Sequence, residues 1–195
     1  MSRKPLSLPP LSRLEAIDAE SGRVNVVIDA PRGSRCKYKY DEAEGFFRLK
    51  KLLPLGAAFP YAFGFVPATL GGDGDPLDVL VILDEPVFVG CVVPVRLVGV
   101  IEAEQTGKDG KTVRNDRLLG VVETPNNPPE VSSLHDLSRQ RLDEIEHFFV
   151  SYNEMEGRRF RPIARQGPGT AGQLLAEGMR RAAAKRRKSS PARMR

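Results

Sequence analysis

Three carboxylates fall within six residues in the stretch GGDGDPLDVLV: Asp73, Asp75 and Asp78, on a run that leads straight into an apolar strand. Gly71, Gly72 and Gly74 permit tight backbone turns around them, so their oxygens can converge on one point. Carboxylates that close repel one another unless a cation sits among them. Hard oxygen donors of this kind suit Mg²⁺ or Mn²⁺, which are commonly held by few carboxylates together with water and substrate phosphate. The competing use of Asp in a turn is to accept hydrogen bonds from local backbone N–H groups. An EF-hand loop is excluded: counted from Asp73, its fifth position is Leu77 and its sixth Asp78, where a ligand and a glycine belong.

The elements around this turn are mostly strands. GRVNVVID alternates around Val24, Val26 and Ile28, and KYKYDEAEGFFRLKK reads as a hairpin about an acidic, Gly-containing turn. Further strands are expected over 77–83, over 87–104 with a break near Gly90 and Pro94, and over 117–122. Many short strands punctuated by Gly and Pro point to a closed or nearly closed barrel. Two helices come late. Ser138 caps the first, whose Leu142, Ile145, Phe149 and Tyr152 share one face, and which ends near Gly157. The second begins near Thr170 and presents Leu174, Leu175 and Met179.

A chain of 195 residues fits one domain, and 41% hydrophobic residues suffice for a core. No apolar run is long enough to span a bilayer, and MSRKPLSLPPLSRLE lacks an apolar signal segment, so a cytoplasmic protein with no membrane partner is expected. Cys36 and Cys91 lack metal or redox spacing and read as buried free thiols. The net charge of +5 is concentrated at one end: residues 180–195 hold eight Lys or Arg and no acid, leaving 22 basic against 25 acidic residues elsewhere. The reading is a domain over 1–179 and a basic, disordered tail over 180–195. Such a tail could contact nucleic acid through phosphates, although its composition is that of a solvated segment.

DGDPLDVLV resembles the signature of the soluble family I inorganic pyrophosphatases, and VVIDAPRGSRCKYKYD, FPYAFGFVPATL and HFFVSYNEMEG fall in that family's order. The resemblance implies an α+β fold, a five-stranded OB-like closed β-barrel with two flanking C-terminal helices. It also implies Mg²⁺-dependent hydrolysis of pyrophosphate, with Mn²⁺ as a possible replacement, and a homo-oligomer. By position it makes Asp73, Asp75 and Asp78 metal ligands, with Asp75 also the base that takes the proton of the attacking water. Lys37, Lys51 and Tyr152 become phosphate-binding groups, and Asp29 stands where the family has a glutamate.

The departures from the family pattern are as specific as the matches. Lys39 replaces a carboxylate, Phe63 a tyrosine and Asn153 a lysine. A second acidic patch, expected across a hairpin, meets Gln105 and Asn115, with Glu104 and Asp116 one residue away. A shift of one residue turns a strand's side chains to the opposite face, so Asp116 joins the metal only if the longer TGKDGKTVRN turn changes the register, and Glu104 substitutes for Gln105 on the same condition. Hydrolysis of another phosphoanhydride is the alternative activity, since Lys39, Phe63 and Asn153 reshape the pocket. A non-catalytic polyanion-binding module is disfavoured, because single-strand binders of this barrel class display stacking aromatics in a basic groove, whereas this chain has no Trp and a mildly acidic body.

Overall fold

The computed structural model describes residues 11–123 and 131–189. Among the described residues, nine strands and two α-helices follow in the order β1 (Val24–Ala30), β2 (Cys36–Asp41), β3 (Phe46–Leu52), β4 (Ala62–Phe65), β5 (Asp78–Ile82), β6 (Val92–Thr106), β7 (Thr112–Arg114), β8 (Arg117–Val122), α1 (Arg139–Glu154), β9 (Arg159–Gln166) and α2 (Pro168–Ser189). The large sheet runs β1-β4-β5-β8-β6, and β6 pairs back with β1, so five strands close into a hydrogen-bonded ring. All of those contacts are antiparallel except β5–β8, which is parallel. Strands β7 and β9 extend β6 beyond the ring, and β2–β3 form a separate hairpin.

Both faces of the ring are covered, which explains why β1 is buried at all seven positions instead of alternating. Along β5, Leu80 enters a cluster with Phe59, Phe63, Ile145 and Phe149, whereas Val79 and Val81 enter a second one with Val26, Val95, Ala171 and Leu175. The two-residue strand period thus divides the core between α1 and α2. Gly64 is the place where β4 lies against β1: a Cβ there would sit 2.2 Å from the Val27 carbonyl oxygen.

Strand β6 continues through Pro94, where a break was expected. Its partner Asn25 donates its N–H to the Ala16 carbonyl instead, so Pro94 faces a position of the ladder that needs no donor from it. Gly90, with φ 86°, forms the turn before the strand. Strands β4, β7 and β9 were not anticipated. Strand β9, RFRPIARQ, carries three arginines and holds Pro162, a composition suited to an edge strand paired on one side.

Ser138 caps α1 by accepting from the Arg141 N–H at 3.2 Å. Leu142, Ile145 and Phe149 are buried as expected, but the fourth buried position is Asn153, while Tyr152 is only partly covered. Helix α2 starts at Pro168 and runs through Ser189. Residues 180–189, read from sequence as part of a disordered tail, are therefore helical, and Ala182 is buried; residues 190–195 lie outside the described residues. A basic run on a continuing helix can leave its charges in water while its small residues pack. Cys36 and Cys91 are free but only half-buried, not buried. Cys36 begins the two-stranded hairpin and Cys91 sits in the turn before β6, so neither has core on all sides. Among the described residues, no helix is long and apolar enough to cross a membrane.

Candidate active site

The carboxylate turn is fixed at both ends before any ligand is considered. Val66 N–H donates to the Leu77 carbonyl, Leu77 N–H to the buried Thr69 hydroxyl at 3.0 Å, and Gly71 N–H to the Asp75 carbonyl at 2.7 Å. Helix α2 clamps the turn from outside: Leu70 N–H donates to the Gly178 carbonyl, and a Cβ on Gly178 would meet Leu77 Cδ1 at 2.6 Å. Gly74, with φ 89°, makes the reversal between Asp73 and Asp75. Asp73 also accepts the Asp75 N–H at 3.1 Å, so the backbone use of Asp and the shared carboxylate cluster coexist in one loop.

The turn opens onto a cleft of about 1110 Å³ that Asp73, Asp75 and Asp78 share with Asp29, Lys37, Lys51 and Tyr152. Seven of the nine residues singled out from sequence thus meet there, contributed by β1, the β2–β3 hairpin, the turn, β5 and α1. Asp29 is 6% exposed and pairs with Lys37 at 2.8 Å. Burial raises its carboxyl from 3.8 to about 6, with Lys37 acting in the opposite direction. The Lys37 ammonium also lies 4.0 Å from the centre of the Phe63 ring, so the residue that replaces the expected tyrosine gives it a cation–π surface. Lys51 pairs with Glu156 and stands 4.0 Å above the Tyr152 ring. Burial lowers the Lys51 pKa and raises that of Tyr152, so the phenol stays protonated and can donate. Burial likewise raises the Asp73 carboxyl.

Cations stand against two of the aspartates. Lys39 approaches the exposed Asp75 at 3.6 Å. Asp78 is bound by Arg117 Nη1 at 2.5 Å, and the same nitrogen donates to Asn115 Oδ1 at 2.5 Å. Arg117 is 4% exposed, its guanidinium lies 5.3 Å from the Phe149 ring centre and 5.5 Å from that of Phe160, and its Nε is buried without a partner. Sequence reading passed over Arg117. The available signal was its spacing of two from Asn115 at the head of a strand, which puts both side chains on one face. Glu156, which anchors Lys51, was missed as well, since nothing local marks a glutamate after a helix end.

Gln105 and Asn115 face each other across the hairpin and share an amide hydrogen bond of 2.8 Å. Both line the cleft; Glu104 and Asp116 do not. Asp116 Oδ1 accepts from the Ala103 N–H at 2.9 Å and from Arg114 at 3.0 Å, and Glu104 pairs with Arg161 at 2.6 Å. The register is therefore the one that turns neutral amides inward. Among the described residues, no three His, Cys, Asp or Glu side chains are gathered closely enough to form a metal cluster by themselves. The donor set nonetheless fits a hard divalent cation: the three carboxylates of the turn face one cleft, whose lining holds neither sulfur nor imidazole.

The family model for inorganic pyrophosphatase matches residues 26–183. The inorganic pyrophosphatase of Synechocystis sp. is 40% identical over 146 residues, covering 75% of this chain and 83% of that protein. That of Geobacillus stearothermophilus is 37% identical over 159 residues, covering 81% and 93%. In three dimensions the crystal structure of inorganic pyrophosphatase from Thermus thermophilus superposes with a TM-score of 0.80 at 31% identity, covering 90% of this chain and 99% of that one. The acidic turn, the ring of strands behind it and these matches over most of the chain's length agree, and the chain belongs to the inorganic pyrophosphatase family.

Proposed function

We propose that the chain hydrolyses inorganic pyrophosphate to two phosphates, as an inorganic diphosphatase. The observation that carries the reading at this site is the sharing of one cleft by an acidic turn and by two lysines and a phenol from other elements. Pyrophosphate is a compact polyanion that repels an incoming hydroxide, so its hydrolysis needs charge neutralisation, a prepared water and stabilisation of the leaving phosphate.

Each task has residues suited to it. Asp73, Asp75 and Asp78 would hold Mg²⁺, with Mn²⁺ as a substitute. Divalent cations bound there supply charge neutralisation and lower the pKa of water. Asp75, whose side chain is exposed to the cleft, accepts the proton of the attacking water. Lys37 and Lys51 face the phosphate oxygens, kept in place by Asp29 and Glu156, and the Tyr152 hydroxyl donates to the leaving phosphate. Arg117 holds Asp78 and lets that carboxylate approach Asp73 with less repulsion. Asp116 and Glu104 are assigned no ligand role in this register.

The cytoplasm is proposed as the working compartment, in keeping with two free cysteines. Self-association is proposed too; the exposed Leu49, Leu52 and Leu55 on and after β3 are the apolar surface available for it. The activity is tested by phosphate release from pyrophosphate with Mg²⁺, with and without chelator. Release that the chelator abolishes is expected, and a folded protein giving no release above blank would overturn the reading.

A further inference from the structure

A volume of about 1110 Å³ is at the upper end of what encloses a drug-sized ligand, and pyrophosphate is smaller than that. The acidic turn, Lys37, Lys51 and Tyr152 account for the inner part of the cleft. Its outer wall is basic and comes from three separate places in the chain: Lys108 and Lys111 on the β6–β7 turn, Arg158 after α1, and Lys185 and Arg186 near the end of α2. The first two places are packed together, since a Cβ on Gly157 would sit 3.1 Å from Lys108 Cε.

Little acid balances the first two of these places. Asp109 is the carboxylate of the β6–β7 turn, and it accepts the Lys111 backbone N–H at 3.1 Å. Lys108 and Lys111 make no ion pair with any described residue, and Arg158 reaches Glu156 only at 3.8 Å, where Lys51 is already bound. Like charges gathered on the β6–β7 turn and beyond α1 repel one another unless an anion lies between them. The wall continues directly from a site for a phosphoanhydride, so the anion that satisfies both is a chain of phosphates.

We infer that the cleft binds linear inorganic polyphosphate of three or more phosphates, with its end phosphoanhydride at the acidic turn and the trailing phosphates along Lys108, Lys111 and Arg158. The inner half rests on the hydrolase reading; the outer half rests on the charge of the wall. Polyphosphate is favoured over single-stranded nucleic acid because the rings at the floor of the cleft, Phe59, Phe63 and Phe149, are buried against one another, and Lys51 covers Tyr152. Bases would find no open ring on that floor, and Tyr38 and Tyr40 on β2, which also line the cleft, are half-buried.

The test is direct binding to the full chain in excess chelator, where no hydrolysis complicates the equilibrium, with pyrophosphate, inorganic triphosphate, a long linear polyphosphate and a single-stranded oligonucleotide of matched charge as probes. Affinity should rise at least about tenfold from pyrophosphate to long polyphosphate and fall with salt. In K108Q/K111Q/R158Q most of that rise should vanish and the salt slope should drop by about 2 to 3, while pyrophosphate turnover in Mg²⁺ stays within about threefold of the parent. The neutral substitutions guard against misfolding, which the retained turnover also reports. Equal affinity for pyrophosphate and polyphosphate in the parent, a rise that survives in the variant, or equally tight binding of the oligonucleotide would each overturn the inference. Loss of pyrophosphate turnover in the parent would instead strike the hydrolase reading and leave the wall's binding result standing.

Discussion

Asp75 and Lys39 stand 3.6 Å apart with both side chains largely exposed, and the pair sets up opposed expectations for two substitutions. Asp75→Asn keeps the shape and one oxygen but cannot take a proton, so turnover should fall by about two to four orders of magnitude, the range for losing a positioned base. Near-normal turnover in the folded variant would remove Asp75 from that role. Lys39→Ala withdraws a cation from beside the same carboxylate, so the Mg²⁺ concentration for half-maximal activity should fall, by about two- to fivefold for an exposed pair. An unchanged or higher requirement would show that Lys39 serves the substrate instead. Asp29 gives a pH dependence. Its pKa is raised in the fold from 3.8 to about 6, so between those values the native state holds more of that proton than the unfolded chain does. Its stabilising contribution is full below about 4 and is lost as pH rises through about 6, at up to about 1.4 kcal/mol per pH unit. Metal-free denaturation of Asp29→Asn across that window should lack this component; identical pH profiles for variant and parent would refute the assignment.

At the level of elements, the β6–β7–β8 hairpin decides what the second side of the site is made of. Its register puts Gln105, Asn115 and Arg117 toward the cleft and Glu104 and Asp116 away from it. Asp116→Ala should accordingly leave the Mg²⁺ requirement within about twofold of the parent and cost about 1–3 kcal/mol of stability, because the Ala103 N–H and Arg114 lose their acceptor. Asn115→Asp adds a carboxylate on the cleft side and should lower the Mg²⁺ requirement. Metal titrations and denaturation of both variants check the pair. A raised requirement in Asp116→Ala together with no change in Asn115→Asp would mean that the register in solution is shifted by one residue.

For the molecule as a whole, α2 joins the C-terminal third of the chain to the acidic turn through Leu70, Leu77 and Gly178. Truncation after Ser189 should leave stability within about 0.5 kcal/mol of the parent. Truncation after Met179 removes the buried Ala182 and the helical turns carrying Lys185 and Arg186. It should cost about 1 kcal/mol or more and weaken polyphosphate binding beyond its effect on pyrophosphate turnover. Thermal unfolding and binding of the two truncations side by side would expose the error if they proved equivalent.

The acidic turn, the α1 cap at Ser138 and the existence of most strands were legible in the residues alone, because each rests on local chemistry: glycine freedom, a capping hydroxyl and a two-residue hydrophobic period. So was the membership of Asp29, Lys37, Lys51 and Tyr152 in one site, through motif order and not through any local signal. A closed barrel was expected as well, but not β4 within it or β9 beside it: both lack a strong pattern of their own and form because β1, β5 and β6 offer edges that must be paired. The enclosure of Arg117 by three aromatic rings came only with the packing of β4, α1 and β9. The helical state of residues 180–189 likewise depended on packing that a charge count does not register. Sequence by itself determined the chemistry available and the order of the elements that carry it. Tertiary structure decided which face of the β6–β7–β8 hairpin meets the cleft, because register is an agreement between strands and no single strand contains it.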